Sequence, residues 1–168
     1  MTKGKLLAVL ILAGSSALIG CTGTAKTPAG QAAMPAAGPV LSLQTPADWK
    51  CTREGDKVKI AIEHSNDILI RPVLGTPADA VAGIPAAIHD EVHDFKVTAS
   101  KDITLAGKPA KHVIGTGEEA DDGDPSNTEV FLFTVGNTTY LACVHGEHDA
   151  AASIRAAVIQ TLDSAKVR

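Results

Sequence analysis

The chain has 168 residues, of which 45% are hydrophobic, 20% charged and 3% aromatic. Fifteen Lys and Arg against nineteen Asp and Glu leave a formal charge of -4, which argues against a basic nucleic-acid binder. That apolar fraction with so little net charge excludes a chain disordered throughout, and the length suits one domain of ordinary size.

Lys3 and Lys5 form a short basic segment, followed by an unbroken apolar stretch from Leu6 to Ala13 and small residues through Ala17. These are the n-region and h-region of an export signal. The apolar part is shorter than the ~20 residues of a membrane-spanning helix. The next residues, Leu18-Ile19-Gly20-Cys21, resemble the bacterial lipobox, in which a branched residue, a variable one and a small one precede a cysteine. The resemblance implies diacylglycerol transfer to the Cys21 thiol, cleavage before Cys21, and acylation, for example by palmitate, of the new amine. Residues 1–20 would then be a lipoprotein signal peptide. Without them the chain carries thirteen bases against nineteen acids, or -6. Each buried methylene adds about 0.8 kcal/mol and one acyl chain holds only marginally, so two or three chains anchor effectively permanently. Thr22, where an Asp would mark inner-membrane retention, implies outer-membrane sorting facing the periplasm in a two-membrane envelope. The competing reading is an ordinary cleaved signal with Cys21 incidental.

Residues 21–46 read as the lipidated cysteine and a tether. The stretch 22–46 has four prolines, many small residues and one charge, too little apolar surface to offset its ordering entropy. Its 25 residues span at most ~85 Å when extended. Val40, Leu41 and Leu43 are the exception and suit a first strand docked on the domain. Residues 47–168 are then the globular domain.

Val58, Ile60 and Ile62 alternate with Lys57, Lys59 and Glu63, the pattern of a half-buried strand. Ser65-Asn66-Asp67 is a turn cluster, and Ile68 to Leu74 a second strand with Pro72 at an edge or bulge. Thr76 suits a helix N-cap, Pro77 the first helical position, and Asp79 the positive end. Val81, Ile84, Ile88 and Val92 form its apolar stripe. Gly83 and Pro85 indicate either a kink or a true start near Pro85, and both remain open. Phe95–Ser100, Ile103–Leu105 and Ala110–Thr116 follow as strands, with a turn at Gly107-Lys108-Pro109. Glu129–Val135 and Thr138–Val144 flank Gly136-Asn137, a hairpin signal. A last helix over Asp149–Ala165 carries the stripe Ala151, Ile154, Val158, Leu162 and Ala165. This order predicts an α+β fold, a mainly antiparallel sheet with helices packed on it.

The run Ile103-Thr104-Leu105-Ala106-Gly107-Lys108-Pro109-Ala110, the later hairpin and the closing helix resemble the Mog1/PsbP-like sandwich, which includes small bacterial lipoproteins. In those domains a strand ending in Gly-x-Pro-Ala, here Gly107-Lys108-Pro109-Ala110, precedes a long hairpin and a helix. The resemblance covers residues 47–168 and implies an adaptor, assembly factor or accessory subunit, with no catalytic residues to carry over. The kinked first helix and the scarcity of aromatics depart from the pattern.

Of three cysteines, lipidation leaves Cys51 and Cys143. In an oxidising compartment an even number usually pairs, so a Cys51–Cys143 disulfide is expected. It would close a 93-residue loop, a stabilisation of roughly 4.6 kcal/mol in the chain-entropy view. A thiol ligand or nucleophile is the alternative. His89 and His93, four apart on the expected helix, point the same way. With His145 and His148 in the turn after the last strand they form a candidate site for a divalent transition metal. A solvated polar helix edge and polar turn is the competing reading, since no Cys-rich or His-Glu-x-x-His pattern is present. The run from Gly117 to Asn127 holds five acids and no base. It suits weak calcium binding, or a plain solvated hairpin loop. No Gly-x-Ser-x-Gly or phosphate loop is present.

The sequence therefore points to a lipid-anchored cell-envelope protein, with a non-catalytic binding or assembly domain and no cofactor. Its partners would be the membrane and an envelope protein, and not nucleic acid. A metal-binding lipoprotein using the histidines is the alternative. An envelope hydrolase ranks below both.

Overall fold

The structure, a computed structural model, describes residues 19–20, 40–62, 66–145 and 152–168. Alternating Val, Ile and Leu positions build one seven-stranded sheet. Its strands are β4 (Lys50–Glu54), β5 (Lys57–Ala61), β6 (Asp67–Val73), β7 (Val92–Leu105), β8 (Lys108–Glu119), β9 (Pro125–Val135) and β10 (Thr138–His145). The order across the sheet is β4-β5-β6-β10-β9-β8-β7, and every neighbouring pair is antiparallel. Two small ladders lie outside it. In one, β1 (Ile19–Gly20) pairs with β3 (Gln44–Thr45), and in the other β2 (Leu41–Ser42) pairs with β11 (Lys166–Val167). The expected α+β fold is the one formed.

Each face of the sheet has its own cover. On one face, Ile60, Ile68, Ile70, Ala142, Phe131 and Phe133 pack with Val158 and Leu162 of α3 (Ala152–Asp163). Leu41 and Leu43 join this core, so the folded region takes in the end of the expected tether. On the other face, Val113, Val130, Leu132, Leu141 and Cys143 pack beneath Ile84 and Ile88. Period-two alternation along β9 and β10 supplies both faces.

The cover on that second face is a helix in three pieces: α1 (Pro77–Ala80), a 3-10 turn (Val81–Gly83) and α2 (Ile84–Ala87). Thr76 caps it as expected. Its hydroxyl accepts from Asp79 N–H, and the Asp79 carboxylate accepts from Thr76 N–H at 3.2 Å. Pro85 has no N–H to continue the ladder and Gly83 is a poor helix former, so the segment is kinked. The helix is finished before His89, and β7 begins at Val92.

The strands expected at 95–100 and 103–105 are one strand of fourteen residues, irregular between His93 and Lys96 and between Val97 and Ala99. β7 lies at the sheet edge, where exposed polar residues such as Lys101 and Asp102 need no apolar partner. β4, the other edge, carries so few apolar residues that its sequence shows no strand period. Gly136 takes φ 62° in the turn between β9 and β10, the positive φ that a two-residue hairpin turn requires.

The expected Cys51–Cys143 disulfide is corrected. Cys143 is a free, fully buried thiol. Cys51 lies on β4 and Cys143 on β10, three strand positions apart, or about 14 Å at ordinary strand spacing. They also serve opposite faces, since Cys51 packs on the α3 core and Cys143 lies in the α2 core. A disulfide needs Cα atoms within about 7 Å. Cys51 is engaged in an interaction of its own.

Candidate functional site

The sheet has two ends. At one lie the turns β4–β5, β7–β8 and β9–β10. At the other, the β8–β9 turn and the α2–β7 turn come together, joined by Ala120 N–H donating to Glu91 C=O at 3.0 Å. A pocket of about 210 Å³ opens at this second end, lined by Lys59, Asp67, Asp90, Glu91, Glu119 and His145 among others. It lies just past the end of α2, where the short cover stops and Leu69 is left only half-buried.

Its wall is acidic. Lys59 Nζ meets Asp67 Oδ2 at 2.6 Å, and Arg71 Nη2 meets Glu91 Oε2 at 3.4 Å just behind it. Arg71 Nε has no hydrogen-bond partner among the described residues, so this guanidinium is only partly compensated. Asp90, Glu119 and Asp121 add negative charge, and such a concentration draws cationic groups within a Debye length, about 8 Å at physiological salt.

The acidic run forms a tight turn rather than a long loop. Glu119 N–H donates to Asp124 C=O at 2.8 Å and Gly123 N–H to Glu119 C=O at 2.9 Å. Carboxylate oxygens of Glu119, Asp121 and Asp122 come within 4.8 Å of one another. Hard cations accept such ligands, but exposed carboxylates cluster in turns without one.

The expected histidine set is only partly brought together. His89 and His93 do meet, with ring centroids 4.7 Å apart, but not through helical spacing: His89 is in the turn and His93 is in β7. His145 ends β10 and lines the acidic pocket. No group of three or more metal-ligating side chains among the described residues includes a histidine. His148 and Cys21 lie outside the described residues.

A histidine with no site expectation sits in a hydrogen-bonded polar cluster that links the sheet to α3. His112 is 4% exposed and stacks on Phe131 with centroids 4.4 Å apart. Its Nε2 lies 2.7 Å from Glu129 Oε2, and Arg155 Nε of α3 donates to Glu129 Oε1 at 2.8 Å. The hydrogen bond from His112, with help from Arg155, holds the Glu129 carboxyl below its ordinary pKa against the opposing cost of burial. The sequence hides this network because its three members lie on β8, β9 and α3. The Cys143 thiol is pushed up to about 12 by burial, with Glu91 adding to the shift. It stays protonated near neutral pH and is no nucleophile.

No family model and no curated protein matches the chain. Solved structures do. A Bacteroides thetaiotaomicron protein is similar at TM-score 0.51 and 11% identity, over 76% of this chain and 45% of that one, so this chain spans less than half of its length. LpqN, involved in cell envelope biogenesis of Mycobacterium tuberculosis, is similar at TM-score 0.50 and 14% identity, over 79% of this chain and 86% of that one. Cyanobacterial PsbP (CyanoP) from Synechocystis is similar at TM-score 0.51 and 12% identity, over 76% and 86%. At such identities the likeness is one of architecture: the chain folds as a PsbP-like sandwich, a mostly antiparallel sheet with few helices packed on it.

Proposed function

We propose that this is a lipid-anchored cell-envelope protein whose PsbP-like domain is a non-catalytic binding or assembly accessory. The observation that carries the reading is the lipobox Leu18-Ile19-Gly20-Cys21, set behind a basic and then apolar segment and separated by eighteen residues from Val40, where the described domain begins. The fold it shares with LpqN, a protein named for envelope biogenesis, supports the setting. Among the described residues, no helix is long and apolar enough to cross a membrane. Cleavage before Cys21 would remove the Ile19–Gly20 pairing with Gln44–Thr45, which lies outside the seven-stranded sheet and leaves it intact.

A non-catalytic role is favoured by where the reactive groups lie. Cys143 is buried and protonated, and His112 is held under α3 by Glu129. The acidic pocket is the surface suited to a basic partner. Fractionation tests the anchor: wild type is expected with membranes and Cys21→Ala in the soluble fraction. A Cys21→Ala chain that stays membrane-bound would contradict it. Capture from envelope extracts tests the binding role. A partner retained by wild type and lost by Glu119→Lys with Asp121→Lys supports it, and retention of nothing specific contradicts it.

The paired rings of His89 and His93 favour a second reading, a transition-metal site. Calorimetric titration with zinc, copper and nickel separates the two. Sub-micromolar binding abolished by His89→Ala would favour the metal.

A further inference from the structure

We infer that the domain rests on the bilayer by the end at which the tether arrives, with Leu74 set into the headgroup region and the acidic pocket turned away from the membrane. This inference presupposes the lipid anchor proposed above.

The tether alone does not dictate orientation. Its eighteen residues from 22 to 39 reach roughly 60 Å when extended, enough for either end of a small domain to touch the bilayer. The surface must decide. Val40, where the described domain begins, is held by exchange of backbone hydrogen bonds with Arg168 at 3.2 and 3.0 Å. Val167 next to it lies 3.5 Å from where a side chain on Gly136 would start, against the tip of the β9–β10 turn. On the far side of that tip, Asn137 and Thr138 line a hollow with Pro72, Val73, Leu74 and Gly75. Thr139 Oγ1 ties this edge together by donating to Gly75 C=O at 2.6 Å. Val40, Val167 and Leu74 thus follow one another across a single end.

Those three are among five large apolar side chains exposed in the described residues, and Leu74 is 95% exposed. A single exposed apolar residue is ordinary. Three gathered where a lipid-bearing segment enters the domain have an occupant at hand. Charge also differs between the two ends. Lys108, whose Nζ donates to Gly136 C=O at 2.6 Å, lies here with the exposed Lys166 and Arg168. Glu54, Asp56, Asp79 and Asp163 are also at this end, Asp79 with its Cβ 3.1 Å from where a side chain on Gly75 would start and Asp163 accepting from Ala106 N–H at 2.8 Å, so the charge here is mixed. The opposite end gathers Asp90, Glu91, Glu119, Asp121 and Asp122, which anionic headgroups repel. The end with exposed apolar side chains and mixed charge, rather than the acidic one, is the end to seat roughly 5–10 Å into the headgroup–acyl boundary.

The mature lipidated chain is reconstituted in phosphatidylethanolamine and phosphatidylglycerol vesicles, with and without bromine on the upper acyl carbons. Two variants are compared, Leu74→Trp and Asp122→Trp, with the native Trp49, which is buried, as a constant background. Brominated lipid is expected to quench the fluorescence added by Leu74→Trp and to leave that added by Asp122→Trp unchanged. Vesicles that float with the protein but quench neither, or quench Asp122→Trp instead, overturn the orientation while leaving the anchor standing. Failure to float removes the anchor and this inference together. Crosslinking of a Leu74→Cys chain to a second copy on the vesicle, with no quenching, assigns the patch to self-association and overturns the lipid contact.

Discussion

The two faces of the sheet are covered unequally, and the inequality sets where the molecule is a scaffold and where it is open. On one face a continuous twelve-residue helix packs Val158 and Leu162 over Ile60, Ile68, Phe131 and Phe133 and seals a large core. On the other, a helix broken at Gly83 and Pro85 brings down chiefly Ile84 and Ile88. Beyond it the chain leaves Lys57 and Lys59 exposed on β5 and opens the acidic pocket. The long cover seals a core, and the short one leaves polar surface exposed.

The largest effect is expected from the sealed face. Phe131→Ala removes a buried ring and the stacking surface of His112, and should cost about 3–5 kcal/mol in urea denaturation. A loss no greater than that of Ile88→Ala on the thinner face would break the comparison. Next is Gly115→Ala on the thinner face. The added methyl would lie 2.2 Å from Phe95 Cζ and 2.7 Å from the Lys96 carbonyl oxygen. Backbone cannot retreat as a flexible side chain can, so a loss of about 1–3 kcal/mol is expected, and an unchanged urea midpoint would contradict that packing.

A pH series probes the polar link between α3 and the sheet. The Glu129 pKa is lowered in the folded state, first by His112. Its stabilisation is therefore full above the unfolded carboxylate pKa and is lost as pH falls through the folded value. Urea midpoints should drop on acidification through that range, and the drop should be smaller in Glu129→Gln. An identical pH dependence in the two proteins would remove the charged link. The smallest effect concerns Cys143. Native protein should leave it unalkylated by iodoacetamide and denatured protein should not, and a non-reducing peptide map should hold no Cys51–Cys143 linkage.

Much of this was legible in the chain. The Ile154, Val158 and Leu162 stripe marks α3, Gly136-Asn137 marks the hairpin, and Thr76-Pro77 marks the start of the broken helix. Edge strands were harder to read. In β4 and in the middle of β7 one or both faces meet water, so the hydrophobic period that identifies a strand is missing. A count of cysteines carries no information about which face of a sheet each serves, and Cys51 and Cys143 serve opposite faces. Helical register does not reach His89 and His93, because the chain turns at His89 and then runs as strand, and the two rings meet by that route instead. The acidic pocket draws on five separate segments, a convergence that only the sheet order reveals.

The lipid proposed on Cys21 can be read directly from the mass of the mature chain. Intact mass spectrometry of the protein extracted from membranes should give a chain that begins at Cys21 and carries a diacylglycerol and an amide-linked acyl group. An unacylated Cys21, or residues 1–20 still attached in the mature protein, would contradict it.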